Sequence, residues 1–182
     1  MKGVYATLSR TAHEFREEYE NIELFVYSLA AFGIPFLFPQ PQLLTGTLVN
    51  AFLIMAALHF RGWKVLPLVM LPSAATVLNG VLFGPFTVFL LYMMPFIWLG
   101  NFALVYLFKR LHIANKTNYF LTLGVSALAK AGLLFGVALL LVDANVLPAA
   151  FLTAMGVLQL GTAIAGGIIA FGMRTIYAYF IR

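Results

Sequence analysis

Apolar residues run through this chain in long unbroken stretches rather than at the alternating spacing of a strand. Six stretches can be drawn, at about 20–38, 43–60, 65–83, 86–108, 117–142 and 148–173. Each approaches the ~20 consecutive apolar residues that cross a bilayer as an α-helix. A transmembrane barrel would alternate lipid-facing and inward-facing residues, and these runs do not. The pattern predicts an all-α integral membrane protein with six transmembrane helices. The first begins a turn before Leu24, with Glu20 and Glu23 in the interface.

The breaks between the runs carry helix-ending residues: Pro39-Gln40-Pro41-Gln42, Arg61-Gly62-Trp63-Lys64, Gly84-Pro85, Lys109 to Lys116, and Asp143 to Pro148. Proline lacks an N–H and clashes with the preceding turn, and glycine gives no side-chain restraint. Ahead of the first run, Leu8, Ala12, Phe15, Tyr19 and Ile22 recur at three- and four-residue spacing with charges between them. That periodicity predicts an amphipathic helix over 8–22 lying on the membrane surface. The predicted organisation is an interfacial element at 1–22, a six-helix bundle at 23–176 and a cytoplasmic tail at 177–182. With the first apolar run following a charged stretch, that run is expected to act as an uncleaved insertion signal.

Composition sharpens this reading. Of 182 residues, 63% are hydrophobic and 9% charged, against about 45–50% and about 25% in soluble domains. A soluble enzyme, a nucleic-acid module and a disordered chain are all excluded. There are no cysteines, so thiolate metal sites and a cysteine nucleophile are excluded too.

Charge then orients the bundle. Five of the six acids lie in the first 23 residues, and the remainder of the chain carries eight bases and one acid, Asp143. The bases sit in alternate breaks: Arg61 and Lys64 in one, Lys109, Arg110 and Lys116 in another, with Lys2, Arg10 and Arg16 before the first run and Arg174 and Arg182 near the end. The other breaks contain no Lys or Arg. The positive-inside rule then places both termini in the cytoplasm. The expected location is the plasma (inner) membrane of a prokaryote.

Catalytic parts are missing. No Gly-x-Ser-x-Gly or His-Glu-x-x-His occurs, no carboxylate pair lies in the runs beyond the interfacial Glu20 and Glu23, and His13, His59 and His112 fall at the cytoplasmic side. No catalytic residue, metal site or cofactor is expected, and the chain is not read as an enzyme.

One charge lies deep. Lys130 is 13 residues from both Thr117 and Asp143, about 20 Å from each end of its run. Asn118, Thr122 and Ser126 precede it at four-residue intervals, which makes a polar stripe on one helix face. A lysine near mid-membrane marks a functional site by default, and a carboxylate would satisfy it. The alternative is a lysine that snorkels along the stripe, or a contact to a partner protein. Asn50, Asn79, Asn101 and Gln159 add one amide on each of four runs, either orienting a ligand or joining helices. Tyr92 and Trp98, with Met94 and Asn101, give the fourth run an aromatic and polar face suited to a small molecule. Small residues at Gly156, Ala163, Gly166, Gly167 and Ala170, and at Gly132 and Gly136, allow close helix approach, within the chain or to another subunit.

With six short-looped helices in fewer than 200 residues, the chain resembles the substrate-binding S-components of energy-coupling factor (ECF) transporters. The likeness rests on Gln42-Leu43-Leu44-Thr45-Gly46-Thr47-Leu48-Val49-Asn50-Ala51, Val81-Leu82-Phe83-Gly84-Pro85-Phe86, Met94-Pro95-Phe96-Ile97-Trp98-Leu99-Gly100-Asn101 and the Gly/Ala-rich Gln159 to Ala170, and spans about 22–176. It implies capture of a vitamin, vitamin precursor or metal ion from outside and association with a membrane coupling subunit and cytoplasmic ATPases; the lack of His and carboxylate ligands in the spans disfavours the metal. By position the resemblance nominates Tyr92, Trp98, Lys130 and Gln159, with Gln40 and Gln42 in the first outer loop; with the buried amides Asn50, Asn79 and Asn101 these make the candidate substrate site. Partner docking is assigned to Ala30, Ala31, Gly132 and Gly136. Span one departs from the family's Ala-x-x-x-Ala motif, reading Tyr27-Ser28-Leu29-Ala30-Ala31-Phe32-Gly33-Ile34. A different class of function, a non-catalytic subunit of a membrane complex, uses the same small-residue faces without a pocket. A self-contained solute or lipid carrier is a third reading. The lipid bilayer is a partner in each case, and nucleic acid in none.

Overall fold

The computed structural model describes residues 2–12, 17–81 and 84–180. Its helices are α1 (Lys2–Leu8), α2 (Glu17–Leu37), α3 (Gln42–His59), α4 (Leu66–Asn79), α5 (Leu90–Phe108), α6 (Tyr119–Asp143), α7 (Ala150–Met155) and α8 (Val157–Phe180). No strand occurs among the described residues. Among the described residues, five segments are long and apolar enough to cross a membrane: Tyr19–Leu37, Gln42–His59, Phe86–Ala114, Tyr119–Asp143 and Ala150–Ile176.

The remaining apolar run is shorter than its sequence suggests. α4 has 14 residues, about 21 Å of helix, preceded by one 3-10 turn at Gly62–Val65. Gly80 adopts φ 73°, and its N–H closes onto Thr76 O. A left-handed glycine stops an α-helix because no Cβ opposes that conformation. Pro67 occupies the first turn, where its missing N–H costs nothing.

Two other boundaries differ from expectation. The break expected from Lys109 is helical: residues Lys109–Ala114 continue α5 as a wider π turn. The sixth run is two helices, parted at Gly156 with φ −96° and ψ −96°. A side chain at Gly156 would meet Leu152 O at 2.8 Å and the Phe135 ring at 2.9 Å, so the bend brings α7 down onto α6.

The helix expected over 8–22 is not one element. α1 ends at Leu8, Thr11 and Ala12 lie outside any helix, and α2 begins at Glu17. His13 to Arg16, including Phe15, lie outside the described residues. Leu8 is fully buried, while Tyr19 and Ile22 are exposed on α2. The chain leaves the helix because its backbone is used elsewhere: Ala12 N–H donates to Leu58 O at 2.8 Å, and Lys109 Nζ donates to Arg10 O at 2.6 Å and Phe60 O at 2.7 Å.

Packing centres on α3, buried almost continuously from Asn50 to Phe60. One core joins Leu53, Leu58, Phe60, Leu104, Phe108 and Leu123. A second joins Leu90, Met93, Leu134, Phe151 and Met155 across α5, α6 and α7. α3 and α8 meet backbone to backbone at Gly166, where a Cβ would lie 2.6 Å from Thr47 O and 2.7 Å from Ala51 N. At Gly167 a Cβ would run into the Leu123 side chain. Tyr119 Oη donates to Gly167 O at 2.7 Å, tying α6 to the same seam. Small residues here trade side-chain volume for close helix contact.

The bundle has two unlike ends. At one, Glu20 accepts from Arg61 N–H at 2.7 Å and from Lys64 Nζ at 3.2 Å. Glu23 Oε1 meets His59 Nδ1 at 2.6 Å, and Arg174 Nη1 meets His112 Nε2 at 2.9 Å. Lys109, Arg10 and Lys116 gather at this same end. The opposite end carries no Lys or Arg among the described residues, and there Asn79 Nδ2 donates to Phe36 O at 2.6 Å.

Candidate functional site

The central polar group is Lys130, the twelfth of the 25 residues of α6 and 2% exposed. Its stem passes Gly100, where a Cβ would come within 3.4 Å of Lys130 Cγ. The tighter neighbour there is Leu134, 3.2 Å from such a Cβ, so glycine at that position lets α5 close on Leu134 and the lysine stem together. Nζ donates to Asn50 Oδ1 at 2.6 Å. The Asn50 amide is oriented in turn by donating to Gly46 O at 2.9 Å and Thr162 Oγ1 at 3.1 Å. Thr162 donates to Gln159 O at 3.2 Å. Three helices, α3, α6 and α8, thus converge on one ammonium through a single amide.

This cluster forms the floor of a cavity of about 90 Å³. α3 contributes Gln42, Thr45, Gly46, Val49 and Asn50 to its walls, and α4 contributes Pro72, Ser73 and Thr76. Leu90, Ile97 and Asn101 come from α5, Met155 and Gln159 from the α7–α8 bend, and Pro35 from α2. The residues nearest the mouth belong to helix ends remote from the cationic end. Below Lys130, towards that cationic end, Leu53, Ala57, Leu104 and Ala127 are fully buried. The cavity is therefore one-sided.

A lysine ammonium has three N–H donors. Asn50 Oδ1 takes one, and among the described residues no carboxylate lines the cavity. Among the acids whose side chains are described, Glu20 and Glu23 are engaged at the cationic end, and Asp143 is exposed at the other. The site therefore combines a buried cation, amides and hydroxyls on apolar walls. That chemistry suits a compact anionic group, a carboxylate above all.

Of the sequence-predicted site residues, Lys130, Asn50, Asn101, Gln159 and Gln42 meet in the cavity wall. Asn101 Nδ2 also donates to Val69 O at 2.9 Å, fixing α5 to α4. Trp98 stands behind the wall, its Nε1 donating to Ser73 Oγ at 2.7 Å, so it positions Ser73 instead of lining the space. Tyr92 is 56% exposed and points away. Asn79 is at the bundle end, accepting from Val81 N–H and holding Phe36 O. The α5 face towards the cavity is Leu90, Ile97 and Asn101, rotated from the face drawn through Met94 and Trp98. Missed were Thr45, Ser73, Thr76 and Thr162. Hydroxyls inside apolar runs were the available signal, but Ser and Thr also satisfy themselves on the preceding turn, as Thr76 does with Pro72 O at 2.9 Å.

The docking residues also separate. Ala31 is buried in the core and Ala30 is partly covered. At Gly132 and Gly136 an added Cβ would meet nothing within 4 Å. No protein-family model matches the chain, and neither a characterised protein nor a solved structure shows significant similarity to it.

Proposed function

We propose that this protein is a membrane-embedded capture subunit for a small anionic organic molecule, of the vitamin or cofactor-precursor type taken up by ECF S-components. The observation that carries the reading is the Lys130–Asn50 floor of a one-sided cavity in mid-bundle. A lysine held at this depth is costly unless it serves a ligand. The cavity of about 90 Å³ accepts the carboxylate end of such a ligand, with Gln42 and Gln159 meeting its remainder near the mouth.

The topology proposed with this function has six spans, α4 and its 3-10 turn making the third. The cationic end faces the cytoplasm with both termini, the segment around α1 lies in that interface, and the cavity opens outside. The chain holds no ATP-binding loop, so active uptake draws energy from partner ATPases through a membrane coupling subunit. The open Gly132–Gly136 face of α6 supplies a surface for such a partner. The same face favours the second reading, a non-catalytic subunit of a membrane complex.

Native mass spectrometry of gently purified protein tests the proposal. The expected result is a stoichiometric small carboxylate that is absent from Lys130→Met. An empty wild-type chain that co-purifies only with other membrane subunits would favour the second reading.

A further inference from the structure

A second, separate cleft lies at the cationic end. Its volume is about 370 Å³, and its walls are Ser9, Arg10, Thr11, Arg61, Ile113 and Lys116. This is within the ~300–1,000 Å³ typical of small-ligand sites. Three cationic side chains from three separate segments converge on it: the strand of chain after α1, the turn after α3, and the turn before α6. None of the three has a salt-bridge partner among the described residues. Glu20 is engaged by Arg61 N–H and Lys64 Nζ.

The cleft has a fixed frame. Buried Lys109 beneath it holds the carbonyls of Arg10 and Phe60, the second being the residue before Arg61. Ala12 N–H on Leu58 O secures the other side of the same segment. The turn carrying Lys116 has that residue at φ 58°, and Gly62 beside Arg61 is at φ 56°. Thr117 N–H bonds Leu111 O at 2.9 Å. The backbone that presents the cations is thus set before a ligand arrives, which lowers the ordering cost of binding. Tyr5 packs over Gly62, and Trp63 is 49% exposed alongside. Exposed Tyr and Trp at a bundle end are the side chains that settle at the headgroup level of a bilayer.

We propose that this cleft binds a phosphate group, through Arg10, Arg61 and Lys116, as presented by an anionic phospholipid headgroup or by free phosphate. Arginine matches phosphate oxygens with paired donors, and basic pockets on this side of helical membrane proteins suit lipid headgroups. The inference does not depend on the function of the Lys130 cavity.

The test uses full-length protein purified in phosphate-free detergent. Native mass spectrometry reads retention of added phosphatidylglycerol against phosphatidylcholine, and calorimetry reads binding of inorganic phosphate. Wild type is expected to retain phosphatidylglycerol selectively or to bind phosphate. Either is expected to fall about tenfold in R10Q/R61Q/K116Q. R110Q, which removes an exposed charge from the same end outside the cleft, is expected to stay within about twofold while R61Q does not. Selective lipid retention without phosphate binding identifies the headgroup as source, and phosphate binding alone identifies the soluble ion. Equal losses in R110Q and R61Q would reduce the cleft to a diffuse positive field and overturn the proposal. So would a wild type that binds neither probe. The three side chains are exposed; where the triple variant does not fold, the single variants give the same comparison.

Discussion

Replacing Asn50 by leucine removes the oxygen that accepts from Lys130 and the amide that donates to Gly46 O and Thr162 Oγ1. The two donor bonds are cheap to lose. Gly46 O lies within a helix and keeps its backbone bond, and Thr162 keeps Gln159 O. The expensive consequence is a buried cationic head with no acceptor. An unsatisfied neutral group costs about 1–3 kcal/mol and a charged one more, so a loss of about 3 kcal/mol follows. Lys130→Met removes the cation itself. It leaves one orphan oxygen on Asn50, about 1 kcal/mol, against relief of a central lysine priced near 2.5–3.5 kcal/mol on insertion scales. The single variants therefore move in opposite directions. Thermal unfolding in mild detergent, read by the folded fraction on size exclusion, resolves this at roughly 2–4 °C per kcal/mol for a chain of this size. Asn50→Leu is expected to fall by roughly 6–12 °C, Lys130→Met to hold or rise, and the double variant to return near wild type. If Lys130→Met falls as far as Asn50→Leu, or the double variant is simply additive, the amide is not holding a costly charge and the reasoning fails.

The glycines give a second contrast. Gly166→Ala drives a Cβ into Thr47 O and Ala51 N and is expected to cost about 3 kcal/mol or prevent folding, whereas Gly132→Ala and Gly136→Ala are expected to hold or gain about 1 kcal/mol; the same melting assay decides. Lys109→Met leaves the carbonyls of Arg10 and Phe60 without their donor, so limited proteolysis near residue 10 is expected to accelerate at least severalfold while the rest of the bundle stays resistant. The chain has no cysteine, so single replacements report topology cleanly: Gln42→Cys is expected to label with an impermeant reagent from outside intact cells, and Lys116→Cys only after permeabilisation. The reverse pattern would invert the proposed orientation.

The positions of the long helices were legible because lipid-facing helices are apolar on every side, and the prolines and glycines between them interrupt the runs. That same uniformity hid rotation. A helix with no polar face does not announce which side meets its neighbours, and so Tyr92 and Trp98 were placed in a wall formed by Leu90 and Ile97. Groups whose burial demands a partner were legible as a set: Lys130, Asn50, Asn101 and Gln159 stand out in apolar surroundings, and four distant segments do meet. Asn79 broke this logic because α4 ends there, at the left-handed Gly80, and the amide closes a helix end. The amphipathic period over 8–22 failed for a related reason. Leu8 satisfies that period but is consumed by the core, and Arg10 O is consumed by Lys109, a contact 99 residues away in sequence.

The glycine seam beneath Lys130 has a consequence for any traffic through the molecule. α3 and α8 touch there backbone to backbone, α6 closes on the seam through the Leu123 and Tyr119 side chains, and buried residues pack the space below the cavity. On the proposed function the chain is a cup and not a pipe. If the chain captures a ligand as proposed, emptying it on the far side requires either prising the seam apart, at the expense of contacts that bind three helices, or tipping the whole cup. A rigid floor favours the second, because a vessel that turns as one body keeps its contents until its rim has moved.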